Sequence, residues 1–229
     1  MTVDRELVLE LSRISTPSIV NAVELLDLRP GDEGYTDSSI RCLTPTLPPV
    51  MGHAATAKVV TRRDQGGDGP SLQLADLWEY VATLPTPRVI VMEDVAEPPG
   101  HGSMWGEVHA NVMVALDCHA VITNGVVRDL PEMQAVGFRT FAGGLVPSKG
   151  VLRLLEVGGP VAVGGLAVRH GDLLHADLHG VVHVPDEAVS ALPDKVREVE
   201  ANERRTIAYC QAPGFTLEGL LAMRKRVTH

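Results

Sequence analysis

Apolar positions recur with helical spacing at both ends of the chain and gather into short uninterrupted runs in its middle. Leu7, Leu11 and Ile14 mark a first helix. Thr16-Pro17 sets the start of a second, with Thr16 as N-cap, Pro17 at the first helical position, and Ile19, Val20, Val23 and Leu26 as its apolar stripe until Pro30-Gly31 ends it. Residues 31–52 read as irregular loop. Ala55–Thr61 reads as strand, followed by the polar loop Arg62–Pro70, a helix over Leu72–Leu84, and a short buried strand, Arg88–Asp94, that ends in acids. The glycine-rich loop Pro98–Met104 leads into a helix over Trp105–Asp117, on which Trp105, Val108, Val112, Ala115 and Leu116 share one face. Ala120–Thr123 is a further strand, then come a turn, a short helix near Leu130–Val136 and a strand near Phe138–Ala142. From Val157 to Val184, valine-rich runs alternate with Gly158-Gly159-Pro160, Gly164-Gly165 and His170-Gly171, which predicts several antiparallel or mixed strands. Beyond Asp186 the helical period returns with Val189, Leu192, Val196, Val199 and Ile207, and a last helix lies near Leu217–Arg226.

This order predicts one α/β domain over residues 1–229, a central β layer covered by helices, with the terminal helices as an outer layer or an oligomer contact. The 229 residues suffice for a substantial core, and 45% apolar with 21% charged residues is ordinary globular composition. A formal charge of −9 argues against a binder that neutralises nucleic-acid phosphates, and 3% aromatics argues against base-stacking platforms. An anionic ligand therefore needs a local site. Three cysteines, Cys42, Cys118 and Cys210, form no disulfide framework and suit a reducing cytosol. The N-terminal residues lack a signal pattern, and no apolar run reaches the roughly 18 residues of a membrane span.

Two strand–loop–helix junctions can carry chemistry. The first, Gly100-His101-Gly102-Ser103-Met104-Trp105-Gly106-Glu107-Val108-His109, opens a helix. Unpaired N–H groups, the positive end of the helix dipole and close-approach glycines make it a possible carboxylate or phosphate cradle, or simply a loop entering a helix. It matches neither a dinucleotide fingerprint nor a P-loop. The second, Thr123-Asn124-Gly125-Val126-Val127-Arg128-Asp129-Leu130-Pro131-Glu132, places an Arg-Asp pair at a helix mouth. Arg suits bidentate carboxylate binding, and Asp suits a hard cation such as Mg²⁺ or Mn²⁺. The same spacing of Asp129 and Glu132 also fits a capping box, which would make Asp129 a cap and Arg128 a surface charge.

His175, His179 and His183 are four apart, but on one strand that is about 13 Å, too far for a shared zinc, so they read as solvated histidines. His101 and His109 flank the glycine-rich loop and are pocket-lining candidates. Cys118 reads as core, no nucleophile elbow is present, and Gly66-Gly67-Asp68-Gly69 is a turn or a ligand-facing loop.

Gly106-Glu107-Val108, Asn124-Gly125-Val126-Val127-Arg128-Asp129, Gly137-Phe138, Phe141-Ala142, Pro147, Gly171-Asp172-Leu173, Ala176-Asp177 and Gly180-Val181-Val182 together resemble the RraA-like superfamily. That superfamily includes the 4-hydroxy-4-methyl-2-oxoglutarate / 4-carboxy-4-hydroxy-2-oxoadipate aldolases. The resemblance covers roughly residues 10–225. It implies an α-β-β-α sandwich, a homotrimer or homohexamer with sites between subunits, and a cytoplasmic, metal-dependent, class II-like aldolase that also decarboxylates oxaloacetate. By the same resemblance, Asp129 would bind Mg²⁺ or Mn²⁺, Arg128 would grip the 2-oxo acid, and the backbone N–H groups of Gly106, Glu107, Val108 and His109 would hold the pyruvyl carboxylate. Glu107 stands where the family has Asp and would reach the metal's water shell.

The superfamily also contains the RraA regulators of ribonuclease E, which bind a protein partner and lack the acid after the Arg. Asp129 is present here and favours the enzyme. Val108-His109 in place of Leu-Leu, the His101–Trp105 segment, and Asn124 where Asp is common all depart from the pattern and leave the substrate open. Glu203 falls on the C-terminal apolar stripe. It is either the C-terminal acid that the aldolases extend into a neighbouring site, or the point where the stripe surfaces.

Overall fold

The computed structural model describes residues 3–62, 64–65 and 71–227, so the Gly66–Gly69 loop lies outside the described residues. In chain order the elements are α1 (Arg5–Leu11), α2 (Thr16–Glu24), β1 (Arg41–Cys42), β2 (Val50–Val60), α3 (Leu74–Ala82), β3 (Arg88–Asp94), α4 (Glu107–Ala115), β4 (Cys118–Thr123), β5 (Val126–Val127) and α5 (Leu130–Ala135). They continue with β6 (Arg139–Ala142), β7 (Gly144–Leu145), β8 (Arg153–Val157), β9 (Val161–Val163), β10 (Leu166–Val168), β11 (Leu173–Asp177), β12 (Gly180–Val184), α6 (Asp186–Val189), α7 (Leu192–Gln211) and α8 (Leu217–Val227).

The main sheet has eight strands in the order β1-β6-β4-β3-β2-β11-β12, with β8 also paired to β2. β2, β3, β4 and β6 run parallel, while β11 and β8 are antiparallel to β2. β2 reaches 11 residues because one of its edges serves two partners. Residues 50–53 pair with β11 and residues 57–60 pair with β8, with an irregularity between Lys58 and Val59.

Alternation along the strands divides the core. Ala55, Ala57, Val59, Ile90, Met92 and Val121 point to one face, where Leu77 and Val81 of α3, Met113 of α4 and Met133 of α5 cover them. On the same face, Met51 and Leu173 pack under α1, α2 and α7 through Val8, Leu11, Ile19, Val23, Leu192 and Val196. The opposite face, carrying Ala54, Val89, Val91, Ala120 and Ile122, is covered by the β9–β10 hairpin through Val161, Val163, Leu166 and Val168. The expected α/β class therefore holds, with central β layers flanked by helices.

Four local readings are corrected. The α2 cap is Ser15, whose side chain accepts from the Ser18 N–H; Thr16 is already helical, its hydroxyl and N–H being taken by His175 and Asp177. The buried face of α4 is Ala110 and Met113, whereas Val108 is 68% exposed, because the helix starts at Glu107 and Trp105 packs from the preceding loop. The α7 stripe is buried only as far as Val199, and Ile207 is 53% exposed, since the distal end of the helix meets the α8 end of the chain, through Tyr209 with Phe215 and Thr216, rather than the core. The histidine-bearing segment is a hairpin, not one strand: His175 lies on β11 opposite Val182, and His183 on β12 opposite Leu174, so the two face opposite sides of the sheet. His175 is fully buried, not solvated.

Candidate functional site

The C-terminal ends of β3 and β4 release the two segments singled out above, in the crevice where open α/β sheets place their ligands. Asp94, the last residue of β3, is 2% exposed and has its carboxylate filled with donors. Thr61 Oγ1 donates to Oδ2 at 2.6 Å and the Gly100 N–H at 2.7 Å, while the Ala96 N–H donates to Oδ1 at 3.1 Å and the Thr61 N–H at 3.3 Å. Asn124 completes the lock. Its Oδ1 accepts from the Asp94 N–H at 2.7 Å, and its Nδ2 donates to the Asp94 carbonyl at 2.9 Å. A carboxylate at 124 has no N–H to give and could not make both bonds, which explains why Asn serves here. The segments after β2, β3 and β4 are thereby tied to one buried group. Asp94 and Thr61 were missed as site organisers in the sequence; the acid ending an apolar strand was the available signal.

The loop then turns inward. Gly102, Ser103, Met104, Trp105 and Gly106 are all buried. Ser103 Oγ donates to the Trp105 carbonyl and accepts from the Trp105 N–H. Trp105 bridges to Val127 in parallel register, and the Arg128 N–H donates to the Trp105 carbonyl at 3.0 Å. The two junctions are thus joined backbone to backbone. α4 opens at Gly106 without a side-chain cap, and its first internal bond is Ala110 N–H to the Gly106 carbonyl. The N–H groups of Glu107, Val108 and His109 consequently have no acceptor within the helix.

Asp129 stands at the head of α5 with φ 52 and ψ 40, in the left-handed region, and makes no side-chain cap bond. Neither the capping box nor any other bond to its own helix occupies the carboxylate. Instead the Glu107 N–H donates to Oδ2 at 3.3 Å, and Arg128 Nη1 lies 3.1 Å from Oδ1 and 3.0 Å from Oδ2. Gly106 sits beneath: a Cβ there would lie 2.5 Å from Asp129 Oδ2 and 3.3 Å from Arg128 Cγ. Gly106, Glu107, Arg128 and Asp129 are therefore brought together, with Glu107 and Val108 exposed at the mouth and His109 half-buried behind it. Burial, with the neighbouring Arg128 guanidinium, holds the His109 imidazole below its ordinary range, so it is neutral at pH 7.

The other candidates lie elsewhere. The His101 side chain is exposed, although its N–H donates to Thr61 Oγ1 at 3.2 Å. Glu203 is exposed on α7 and accepts from Asn21 of α2. His175 Nδ1 accepts from Thr16 Oγ1, and its Nε2–H donates to the Leu11 carbonyl at 3.2 Å, tying β11 to the α1–α2 corner. Cys118 is buried, and that burial pushes its thiol up to about 12.

The described residues contain no group of three or more His, Cys, Asp or Glu able to share a metal. One half-exposed carboxylate over a side-chain-free glycine does fit Mg²⁺ or Mn²⁺, which keep several waters and take few protein ligands. No helix of the described residues is long and apolar enough to cross a membrane.

The chain is similar to several known proteins. The chain is 22% identical over 171 residues to Protein DlpA of Legionella pneumophila, which takes in 74% of this chain but 26% of DlpA, so it spans about a quarter of that relative. An uncharacterized protein from Pseudomonas syringae pv. tomato superposes with a TM-score of 0.74 at 22% identity, over 100% of this chain and 96% of the other. Streptomyces coelicolor RraAS2, an unusual member of the RNase ES inhibitor RraA protein family, superposes with a TM-score of 0.70 at 22% identity, over 90% of this chain and 98% of the other. At these identities the superpositions establish the fold. The profile of the RraA-like family, Aldolase/RraA, which takes in metal-dependent lyases as well as non-catalytic regulators, matches residues 16–183, and the chain belongs to that family.

Proposed function

We propose that this protein is a divalent-metal-dependent lyase that cleaves, by retro-aldol reaction or decarboxylation, a short 2-oxo dicarboxylic acid and releases pyruvate. One observation carries the reading: the Asp129 carboxylate is held clear of its own helix and set against the first N–H of α4, over Gly106. A capping residue would point the other way.

In this reading the α4 N–H groups of Val108 and His109, joined by that of Glu107 when it leaves Asp129, bind the pyruvyl carboxylate, aided by the helix dipole. Arg128, half-exposed at the mouth, grips the substrate through its guanidinium fork. Asp129 would hold Mg²⁺ or Mn²⁺, with Glu107 reaching its water shell; such an ion, when bound, stabilises the enolate charge that develops as the carbon–carbon bond breaks. Trp105 and Met104, both buried in the loop that leads into α4, would keep water from behind the site. A homotrimer or homohexamer, with Glu203 reaching a neighbouring subunit, belongs to the same reading.

The test is pyruvate release from oxaloacetate, coupled to lactate dehydrogenase, with and without Mg²⁺. Asp129→Ala should abolish the metal-dependent rate while circular dichroism stays native. Undiminished release from the variant would overturn the metal assignment. Silence of the wild type across several 2-oxo acids, with a specific protein partner recovered, would instead support a non-catalytic regulator.

A further inference from the structure

Among the described residues, the buried side-chain nitrogens or oxygens without a hydrogen-bond partner are Trp78 Nε1, Trp105 Nε1, His109 Nε2 and Arg128 Nε. All four belong to one cluster. The His109 ring lies 6.5 Å from that of Trp78 and 6.1 Å from that of Trp105, and Arg128 is its charged neighbour. An unpartnered buried donor is costly, so native folds rarely keep one, and clustered exceptions need a cause.

The chemistry of the four atoms is one-sided. Two indole N–H groups and a guanidinium Nε–H can only donate, and a neutral imidazole Nε2 can donate as well. The three fixed donors lack an acceptor, and the imidazole can meet the same acceptor in its Nε2–H tautomer. Trp105 is 1% exposed and fixed in its plane by stacking on Phe138 at 6.1 Å. His109 comes from the first turn of α4, the turn whose N–H groups lack acceptors within the helix, and Trp78 from α3, so two helices and the loop before α4 bring these rings together. Arg128, with 36% of its side chain exposed, links the cluster to the surface.

We propose that Trp78, Trp105 and His109, with Arg128, form the specificity pocket for the second carboxylate of the diacid, which enters as Arg128 turns from Asp129 toward the ligand. This rests on the 2-oxo acid reading above and names the part of the substrate that the α4 N–H groups do not hold. The pocket selects a ligand with acceptor oxygens at both ends over one with a methyl end, because a methyl leaves all four donors unpaired.

The test uses the chain's own reporters, since its two tryptophans are the two in the cluster. The full-length protein with Mg²⁺ is titrated with 2-oxoglutarate and with pyruvate, following tryptophan emission and, in parallel, calorimetry. We expect 2-oxoglutarate to shift the emission and to bind more tightly than pyruvate. His109→Leu should lower the ratio of the two affinities about tenfold, the loss of one hydrogen bond to a charged group. His109→Gln, which keeps a donor, should recover much of that ratio. Trp105→Phe and Trp78→Phe should each lower it and remove part of the emission shift. If pyruvate and 2-oxoglutarate bind alike in the wild type, or the ratio is unmoved in variants with native circular dichroism, the cluster is packing alone and the pocket is wrong while the 2-oxo acid site stands. If neither ligand binds by calorimetry, the 2-oxo acid reading fails and the pocket falls with it.

Discussion

Gly106 and Asp129 are 23 positions apart in the chain, yet a single methyl group on Gly106 would stand 2.5 Å from Asp129 Oδ2. The backbone at Gly106 is extended, with φ −166, which any residue adopts. The glycine is required there by its neighbour's carboxylate and not by its own torsion angles. Gly106→Ala should therefore fold with a stability change within roughly 1 kcal/mol, the carboxylate shifting aside, while metal-dependent turnover falls at least about tenfold. Thermal melts and the coupled pyruvate assay check both halves. Full activity in the variant would mean that Asp129 does not work at the mouth of α4.

Asp129 holds a left-handed conformation at φ 52 that glycine tolerates better. It makes no cap bond, and its pair with Arg128 is half-exposed, so little stability is lost with the side chain. Asp129→Gly should leave the melting free energy unchanged or raise it by up to about 1 kcal/mol, and should eliminate activity. A clear loss of stability would return the residue to a structural role.

His175 gives the fold a pH dependence. Burial pushes its imidazole from 6.5 to about 4, against the pull of Asp177 and the Leu11 and Ile14 carbonyls. The unfolded chain takes up this proton first, so the contribution is fully present above pH 6.5 and is lost as pH falls from 6.5 to about 4. The sum is on the order of 3 kcal/mol. Asp177 acts elsewhere: despite burial, hydrogen bonds from His179 and Thr16 keep its carboxyl below 3.8, outside that window. Denaturant melts at pH 7.5, 5.5 and 4.5 should show a flatter profile for His175→Gln than for the wild type, removing the contributions the two share; parallel profiles would contradict the assignment.

The thiols should sort by burial. Cys210 is exposed, Cys118 is buried with its thiol pushed to about 12, and desolvation also raises Cys42. Brief treatment of the native protein with iodoacetamide should label Cys210 first, with Cys118 modified only after denaturation, as peptide mass spectrometry would show. Early labelling of Cys118 would mean that the α4–β4 region opens.

Much of this fold is legible in the chain. Arg88–Asp94 is read as a strand to the residue, because a short β-branched run between prolines and acids admits little else. The β-rich block is legible for the same reason, glycines marking each turn from 158 to 171. The faces of α4 and α7 are not. Val108 and Ile207 keep the apolar period but stay largely exposed in the described chain, and periodicity cannot tell a stripe that meets a core from one that meets solvent or another subunit. The meeting of Gly106 with Asp129 is likewise tertiary information, set by β3 and β4 lying side by side. The closeness of Trp78 to His109 is not legible either, since Trp78 arrives from α3, whose Leu77 and Val81 serve the core.

Arg88 begins β3 at the far end from the site, and its guanidinium donates to the carbonyls of Ala82, Leu84 and Leu116. One side chain thus clasps the closing turns of both α3 and α4, the helices that bring Trp78 and the Gly106 mouth together. Levers held at the hinge keep their tips aligned. A replacement at 88 would let the two rods splay, and the damage would be felt a full strand length away, as a kinetic defect from a residue that never approaches the ligand.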